Sequence, residues 1–488
     1  NLLLREKGSL RAAFFFCQNY FVTIYNELKI LQVSIMKLQI IVLAAGQGTR
    51  MKSCYPKVLH KLAGKALLHH VVDTAKTLKP DSIYVVYGHG GDLIVQENFP
   101  DDVCLVEQKA QLGTGHAVSQ VLPNLDDEAT VLVLYGDVPL VRTDTLADLV
   151  RNSESGLSLL TVHLDNPKGY GRIIRDEHGS VVRIVEEKDA SDKERLVSEV
   201  NTGILALNAK HLKSFLSQVK NENAQGEYYL TDIIEMAASH SVDIFTSHPD
   251  SEQEVAGVND RVELAELEGY YQIEQAVQLM QNGVSIKDPN RFDIRGKVTT
   301  GRDIDIDINV VLEGSVTLGD DVTIGPGCII KDTSIANGAR IHAYSVIEGA
   351  IIGEKSEIGP YARLRHGANL DDSSKIGNFV EIKNSDIGKG SKVNHLSYIG
   401  DTLMGAGVNI GAGTITANYD GANKHRTEIE DESSIGSNSV LVAPVKVESG
   451  ATLGAGTILR KDAIAGELTM IPTKQVTIKG WKRPVKKS

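Results

Sequence analysis

Glycines, an arginine and lysines crowd the stretch 43-LAAGQGTRMKSCYPK-57, where Arg50 and Lys57 follow a turn that closes an apolar run. Backbone N–H groups of a Gly-rich turn can cradle phosphate, and two cations beside them would stabilise a triphosphate whose pyrophosphate must leave. Two common phosphate loops are excluded. The pattern G-x-x-x-x-G-K-[ST] has no match, and in 46-GQGTRM-51 Met51 stands where the third glycine of a dinucleotide fingerprint belongs. The bland alternative is a tight turn carrying a solvated Arg and Lys, and local spacing leaves both readings open. The carboxylate of 135-YGD-137 ends another apolar run, where it suits either a Mg²⁺ ligand or a helix N-cap. Two further Gly-rich turns, 111-QLGTGHA-117 and 169-GYGR-172, fit close backbone approach to one extended ligand.

A second group of reactive residues lies in the C-terminal half. Arg363 and Arg365 of 361-YARLR-365 stand two apart, so on a strand both point the same way. Arg365 and Lys383 suit a sugar phosphate, or simply outward charge. His395 and Tyr398 fall near a turn in 395-HLSYIGD-401, and a lone His is more often structural than catalytic. Asn418 and Tyr419 belong to 417-ANYDGANKHRTE-428, an insertion into an otherwise strict repeat.

Two kinds of element must position these groups. Short apolar runs at 38-LQIIVL-43, 83-IYVVYG-88, 131-VLVLYGD-137 and 157-LSLLTV-162 alternate with helical patterns such as 66-ALLHHVVDTAKTL-78. That alternation predicts βαβ units and a parallel, doubly wound sheet, with ligands at the carboxyl ends of the strands, where Gly46 and Asp137 fall. In 259-NDRVELAELEGYYQIEQAVQLMQNG-283, Leu264, Leu267, Tyr270, Ile273, Val277 and Met280 recur at spacings of three and four. This is an amphipathic connecting helix, capped by Asn259 or Asp260 and ended by Asn282-Gly283.

Beyond it, aliphatic residues recur every six positions: Leu312, Leu318, Ile324, Ile330; then Ile335, Ile341, Ile347; then Ile352 through Ile382. The phase slips by one residue at each break and resumes, and after the insertion it continues from Ile429 to Leu459. A six-residue period fits neither a helix nor a hairpin sheet. It is the hexapeptide signature of a parallel β-helix, with one inward aliphatic per flat side.

Composition sets outer bounds. The chain has 488 residues, 42% hydrophobic and 23% charged, which predicts a soluble globular protein of at least two domains. Its net charge of −12 argues against general nucleic-acid or membrane binding, so anionic ligands need locally placed cations or N–H groups. Cys17, Cys54, Cys104 and Cys328 are scattered without a C-x-x-C pair, which favours a reducing cytoplasm over a disulfide or zinc framework. No apolar run approaches the roughly 18 residues of a membrane span. Residues 1–35 read as a non-native or disordered extension that precedes a natural start at Met36. Gln18 and Asn19 break the run 11-RAAFFFCQNYFV-22, which speaks against a signal peptide.

The opening motif 43-LAAGQGTRM-51 with Pro56-Lys57 resembles the sugar-nucleotide pyrophosphorylases. With QLGTGHA, YGDVPL, 186-EEKDA-190, 201-NTGI-204, 223-NAQGEYYLTDII-234 and 257-GVN-259, the chain from Met36 onward resembles one bacterial family. These are the bifunctional UDP-N-acetylglucosamine pyrophosphorylases/glucosamine-1-phosphate acetyltransferases, which feed peptidoglycan and lipopolysaccharide synthesis. The resemblance implies a Rossmann-like uridylyltransferase over 36–260, a linker helix over 261–283 and an acetyltransferase over 284–488 built as a left-handed β-helix that forms homotrimers. It implies that Leu43, Ala44, Ala45, Gly46, Lys57, Gln108, Gly113, Thr114, Tyr135, Gly136 and Asp137 surround UTP. Gly171, Glu186 and Asn201 would hold the sugar, and Asp137 and Asn259 would bind Mg²⁺. Arg50 and Lys57 would neutralise phosphate charge as N-acetylglucosamine 1-phosphate attacks the α-phosphorus.

In the second half, the same resemblance makes His395 the general base that activates the amine of glucosamine 1-phosphate toward acetyl-CoA. An ordinary imidazole pKa of about 6.5 suits that task. Arg365, Lys383, Tyr398 and Asn409 would hold the sugar phosphate. Ala412 would donate its N–H near the thioester, and Asn418, Tyr419, Ser437 and Ala455 would line the acetyl-CoA site. One position departs from the family pattern: Pro472 stands where an Arg for CoA is common, with Lys474 close by as a substitute and a basic tail, 479-KGWKRPVKKS-488, beyond. Two other readings combine similar domains. A β-helix that only regulates or trimerises, as in ADP-glucose pyrophosphorylases, leaves His395, Lys383 and the insertion without a task. A non-catalytic subunit like those of translation-initiation exchange factors leaves Arg50, Lys57 and Asp137 without one.

Overall fold

The computed structural model describes residues 36–488 apart from 89, 473, 485, 487 and 488; the N-terminal extension lies outside the described residues. The chain forms two compact units that divide between Tyr271 and Gln272, inside the helix Arg261–Gln281.

The first unit is an α/β sheet of nine strands: β1 (Leu38–Ala44), β2 (Ser82–Tyr87), β3 (Val103–Glu107), β4 (Thr130–Tyr135), β5 (Leu157–His163), β6 (Arg172–Arg175), β7 (Val181–Val185), β8 (Glu199–Asn208) and β9 (Ile244–Ser247). The main order is β9-β5-β8-β4-β1-β2-β3, with β6 joining β8 to β7. Strands β4, β1, β2 and β3 are mutually parallel, as the alternation predicts. The sheet as a whole is mixed, because β8 runs antiparallel to both β4 and β5. Strand β1 is buried along its full length, Ile40 and Val42 facing one apolar layer and Ile41 and Leu43 the other. Burial on both faces is why its sequence reads as an unbroken apolar run rather than an alternation. Helices Leu67–Thr77 and Thr143–Asn152 supply Val71, Val72, Leu146 and Val150 to the first layer. Helices Ala209–Leu216 and Asp232–Ser239 supply Leu212, Phe215, Ile233 and Ile234 to the second.

The connecting helix begins as its sequence indicates. Asp260 Oδ1 accepts from the N–H groups of Val262 at 2.8 Å and Glu263 at 3.0 Å, the side-chain cap that a helix start needs. Gly283 follows its end at φ 97°, a backbone conformation that strongly favours glycine.

The second unit is a parallel β-helix. One face is an 11-stranded sheet running from Val284–Ile286 to Leu468–Thr469, and a 17-stranded sheet wraps the other two faces. Ile324 pairs with Ile341, Ile341 with Ile358 and Ile358 with Ile376, so successive coils stack aliphatic on aliphatic. The one-residue slips in the sequence are the places where a coil is shortened by a residue at a corner. These stacked side chains are almost wholly buried, Ile341 and Ile324 at 1% and Ile358 at 0%. The insertion keeps this register intact: Ile410 pairs with Ile435 across it. It leaves the wall as a hairpin in which Tyr419 bridges antiparallel to Lys424 and His425 N donates to Asn418 O at 2.8 Å. Among the described residues, no helix is long and apolar enough to cross a membrane.

Candidate active sites

Three strand ends and their loops enclose a cavity of about 520 Å³ in the first unit. Leu43, Ala44, Ala45 and Gly46 line it from the end of β1, Tyr135 and Asp137 from the end of β4, and Gln108, Gly113 and Thr114 from the turn beyond β3. Gly136 lies behind them, its N–H donating to Leu43 O at 2.9 Å and tying the two strand ends together. Gln108 is buried and donates from Nε2 to Gly113 O at 3.2 Å, which fixes the second Gly-rich turn. In that turn Gly113 has φ 108°, and a Cβ there would lie 2.6 Å from Tyr228 O, so no larger residue fits. Gln47 and Gln111, absent from the sequence reading, meet across the cavity edge at 3.2 Å.

The opening loop earns its glycine at Gly48. Its φ is 60°, and a Cβ would sit 2.7 Å from Lys57 Cβ, so the turn packs directly against the lysine it must place. Lys57 is not a solvated cation. Its Nζ donates to Asp137 Oδ2 and, at 3.1 Å, to Asn259 Oδ1, with only 14% of its side chain exposed. Asp137 is held in turn: Val258 N donates to its carbonyl at 2.9 Å, and Glu263 Oε2 accepts from Asn259 N at 2.6 Å. The N-cap reading of Asp137 is therefore not realised, since the next helix starts at Thr143 with Arg142 at its cap. Arg50 sits apart from this cavity on an exposed 3₁₀ turn, Thr49–Met51. Its charge is felt by Tyr170, whose hydroxyl is nonetheless raised above the ordinary phenol range, first by burial and then by Glu263 and Asp137.

Gly171, Glu186 and Asn201 form a second group beside Tyr135. Asn201 N donates to Gly171 O at 2.8 Å, and a Cβ on Gly171 would come within 3.4 Å of Glu186 Oε1. Asn201 Oδ1 accepts from Gly203 N at 3.0 Å, and a Cβ on Gly203 would meet the Tyr135 ring at 2.4 Å. Burial pushes the Tyr135 phenol far above its usual range, with Glu186 and Asp137 adding to the shift. Glu186 is itself raised by burial, although Thr231 Oγ1 donates to it at 2.9 Å.

In the β-helix, His395 ends the strand Lys392–His395 and lies exposed at a corner. Its Nδ1 faces Asn378 Oδ1 at 3.1 Å, one coil earlier. If that nitrogen carries the proton, Asn378 fixes the tautomer and leaves Nε2 basic. Asn378 escaped the sequence reading; its signal was its place one coil before His395. The stacking of Val393 on Ile410, Ile435 and Leu453 sets Ala412, Ser437 and Ala455 in one column beyond His395. Asn409 pairs with Lys392 on the same face. Around the corner, Tyr398 pairs with Glu381, and Glu381 Oε1 accepts from Arg365 Nη1 at 2.8 Å.

Lys383 stacks on Gly400 in the same wall, and its pKa is lowered first by Lys424, with Arg365 adding. Lys424 reaches this place from the hairpin insertion, and it too was missing from the sequence reading. Three cations thus converge on one exposed ledge, an arrangement that an anion would relieve. Asn418 is buried and turned inward, donating to Asp401 and, at 3.5 Å, to Tyr398 Oη. Tyr419 is 62% exposed beside it. Pro472 and Lys474 lie in an exposed tail without regular structure.

A nucleotide-sized cleft at the carboxyl ends of a parallel sheet, joined in one chain to a hexapeptide β-helix bearing a cornered histidine, defines a two-domain transferase. Comparison with known proteins agrees. Residues 40–185 match the MobA-like NTP transferase domain, and residues 294–372 match a GMPPB C-terminal domain. The bifunctional protein GlmU of Marinobacter nauticus is 56% identical over 450 residues, which cover 92% of this chain and 99% of that protein. GlmU of Ralstonia nicotianae is 55% identical with the same coverage, and GlmU of Methylococcus capsulatus 55% over 92% of this chain and 98% of the relative. The chain belongs to the GlmU family of bifunctional enzymes. It acetylates glucosamine 1-phosphate from acetyl-CoA and transfers UMP from UTP to N-acetylglucosamine 1-phosphate with release of pyrophosphate.

Proposed function

We propose that the two reactions divide between the two units at the connecting helix, uridylyl transfer over 36–260 and acetyl transfer over 284–488. The observation that carries this division is the convergence of Lys57, Asp137 and Asn259 at the cleft of the first unit, all three supplied by that unit alone. Asp137 and Asn259 present two oxygens close enough to share one ammonium ion. An all-oxygen donor pair of this kind fits Mg²⁺, which prefers hard ligands and keeps much of its water. Bound there, Mg²⁺ would neutralise charge on the phosphates. The residues themselves do the rest. Lys57 balances charge as the pyrophosphate leaves, the loop Leu43–Gly46 offers backbone N–H groups, and Glu186, Asn201 and Gly171 orient the sugar phosphate toward the α-phosphorus.

In the β-helix, His395 Nε2 takes the proton from the sugar amine as that amine attacks the thioester carbon. Asn378 holds the ring, and Arg365, Lys383 and Lys424 hold the phosphate. Ala412 N–H faces the developing oxyanion, and Ser437 and Ala455 extend the column along which acetyl-CoA lies. UTP and acetyl-CoA are cytoplasmic metabolites, which places the enzyme there. The β-helix also assembles as a homotrimer. Tyr344, Tyr361 and Phe379 stack at 5.3 and 5.4 Å on one corner and, with Leu396 next in the column, leave an exposed apolar ladder suited to a neighbouring copy.

Measuring pyrophosphate release and CoA thiol release on Asp137→Ala and His395→Ala tests the division. Asp137→Ala should abolish the first and spare the second. His395→Ala should lower acetylation on the order of 10²–10⁴-fold and leave uridylyl transfer within about twofold. A His395→Ala enzyme that loses uridylyl transfer and keeps acetylation would overturn the assignment.

A further inference from the structure

We propose that His163, His248 and Glu199 form a binding site for a transition-metal ion such as Zn²⁺, separate from the oxygen pair at Asp137 and Asn259. The three residues come from three strands at one end of the sheet. His163 ends β5, Glu199 begins β8 directly opposite it in register, and His248 follows β9, whose Ser247 pairs with Leu160 of β5. One ligand atom from each lies within 4.8 Å of the others. Bonds of about 2.0–2.1 Å put tetrahedral ligand atoms roughly 3.4 Å apart, a little closer than they stand here, and both imidazoles are exposed.

The surroundings are those of a ligand set. His248 Nδ1 faces Thr161 O at 3.0 Å, which leaves Nε2 as the ligand nitrogen, and His163 Nδ1 faces Ser198 Oγ at 3.4 Å in the same sense. A metal-bound His usually donates its other N–H to such an oxygen, fixing the tautomer. Glu199 is buried and oriented by Arg175, whose Nε donates to Oε2 at 2.8 Å and Nη2 to Oε1 at 2.7 Å, with Thr161 Oγ1 donating to Oε1 at 2.9 Å. Among the described residues Oε2 accepts only from Arg175, so it keeps one lone pair for an ion. Two imidazoles and one carboxylate select Zn²⁺, Ni²⁺ or Cu²⁺ over Mg²⁺. The site stands at the root of two segments used in sugar binding. The turn carrying Gly171 follows His163, and Asn201 lies two residues beyond Glu199 on the same strand. A bound ion would therefore pin β5 to β8 where both leave for the sugar.

Titration of Zn²⁺ into the full chain by calorimetry, with excess Mg²⁺ present to occupy oxygen sites, tests this. The intact enzyme should bind one Zn²⁺ equivalent that His163→Ala/His248→Ala loses, and each single variant should weaken that equivalent at least about tenfold. Co²⁺ in place of Zn²⁺ should give visible absorption bands that the double variant lacks. Asp137→Ala should keep the equivalent. The proposal is overturned if the double variant, melting at the temperature of the intact enzyme, binds the same number of ions with the same affinity. Loss of the equivalent in Asp137→Ala instead would place the ion at the catalytic oxygens and equally sink it.

Discussion

The two units solve ligand binding in opposite ways. In the α/β unit the cations and carboxylates of the site already neutralise one another: Lys57 lies between Asp137 and Asn259, mostly shielded from water. On the β-helix Arg365 is paired with Glu381, but Lys383 and Lys424 crowd each other on a wall open to water, so that Lys424 and then Arg365 depress the Lys383 pKa. The contrast follows from architecture. Strand ends joined by loops make a concave cleft, and charges buried in a cleft must be paired or they destabilise the fold. Flat β-helix faces offer only ledges, where water screens like charges and lets them wait for a phosphate. A paired site should fail all at once when one partner is removed, whereas a screened site should weaken in steps.

Removing Lys57 should show the first behaviour. Lys57→Ala takes away the preorganised cation and leaves Asp137 facing Asn259 alone, so uridylyl transfer should fall on the order of 10²–10³-fold, in kcat as well as kcat/KM. Steady-state rates at saturating UTP would read this, and a loss confined to KM would show that Lys57 binds substrate without serving the transition state.

Lys424→Ala should show the second. One of three cations is lost from an open ledge, so KM for glucosamine 1-phosphate should rise roughly 10- to 100-fold, the usual span for one charged hydrogen bond, with kcat little changed. A collapse of kcat instead would mean that the hairpin insertion positions the reacting groups and that the ledge is less modular than its exposure suggests.

The smallest effect tests the cost of crowding carboxylates in the cleft unit. Burial, and then Glu186, Glu235 and Asp189, push the Asp232 carboxyl from 3.8 up to about 6. The folded protein thus holds a proton between those values that the unfolded chain has released. Stability from this group is present below about pH 4 and is lost as pH rises through about 6. Asp232→Asn should therefore stabilise the first unit above pH 6 by about 1–2 kcal/mol, after discounting for partial exposure, and flatten its melting temperature between pH 4 and 6. Thermal melts across that range would check the sign; equal slopes for both proteins would show that Asp232 titrates normally.

The legibility of the two units in the sequence differs for a related reason. In the β-helix each coil repeats the last, so a period of six in Leu312, Leu318, Ile324 and Ile330 contains both the element and its packing partner. The α/β strands announce themselves as apolar runs, yet nothing in 199-EVNTGILALN-208 distinguishes an antiparallel strand from a parallel one. A strand buried on both faces carries the same residues in either direction. Gly48 was visible as a glycine, but its reason, close contact with Lys57 Cβ, exists only after the loop folds back.

The sequence by itself determined the two element periods, the break between them, the breaker at 417–428 and the motifs that mark the family, because each is a local pattern of side-chain type. Only the tertiary structure decided which polar groups meet. Lys57 finds Asn259 across 202 positions, His395 finds Asn378 one coil away, and Lys424 finds Lys383 because a hairpin leaves the wall and turns back. Hydrogen bonds and charge coupling act over a few ångströms of space, and no spacing along the chain encodes that distance until the backbone has closed it.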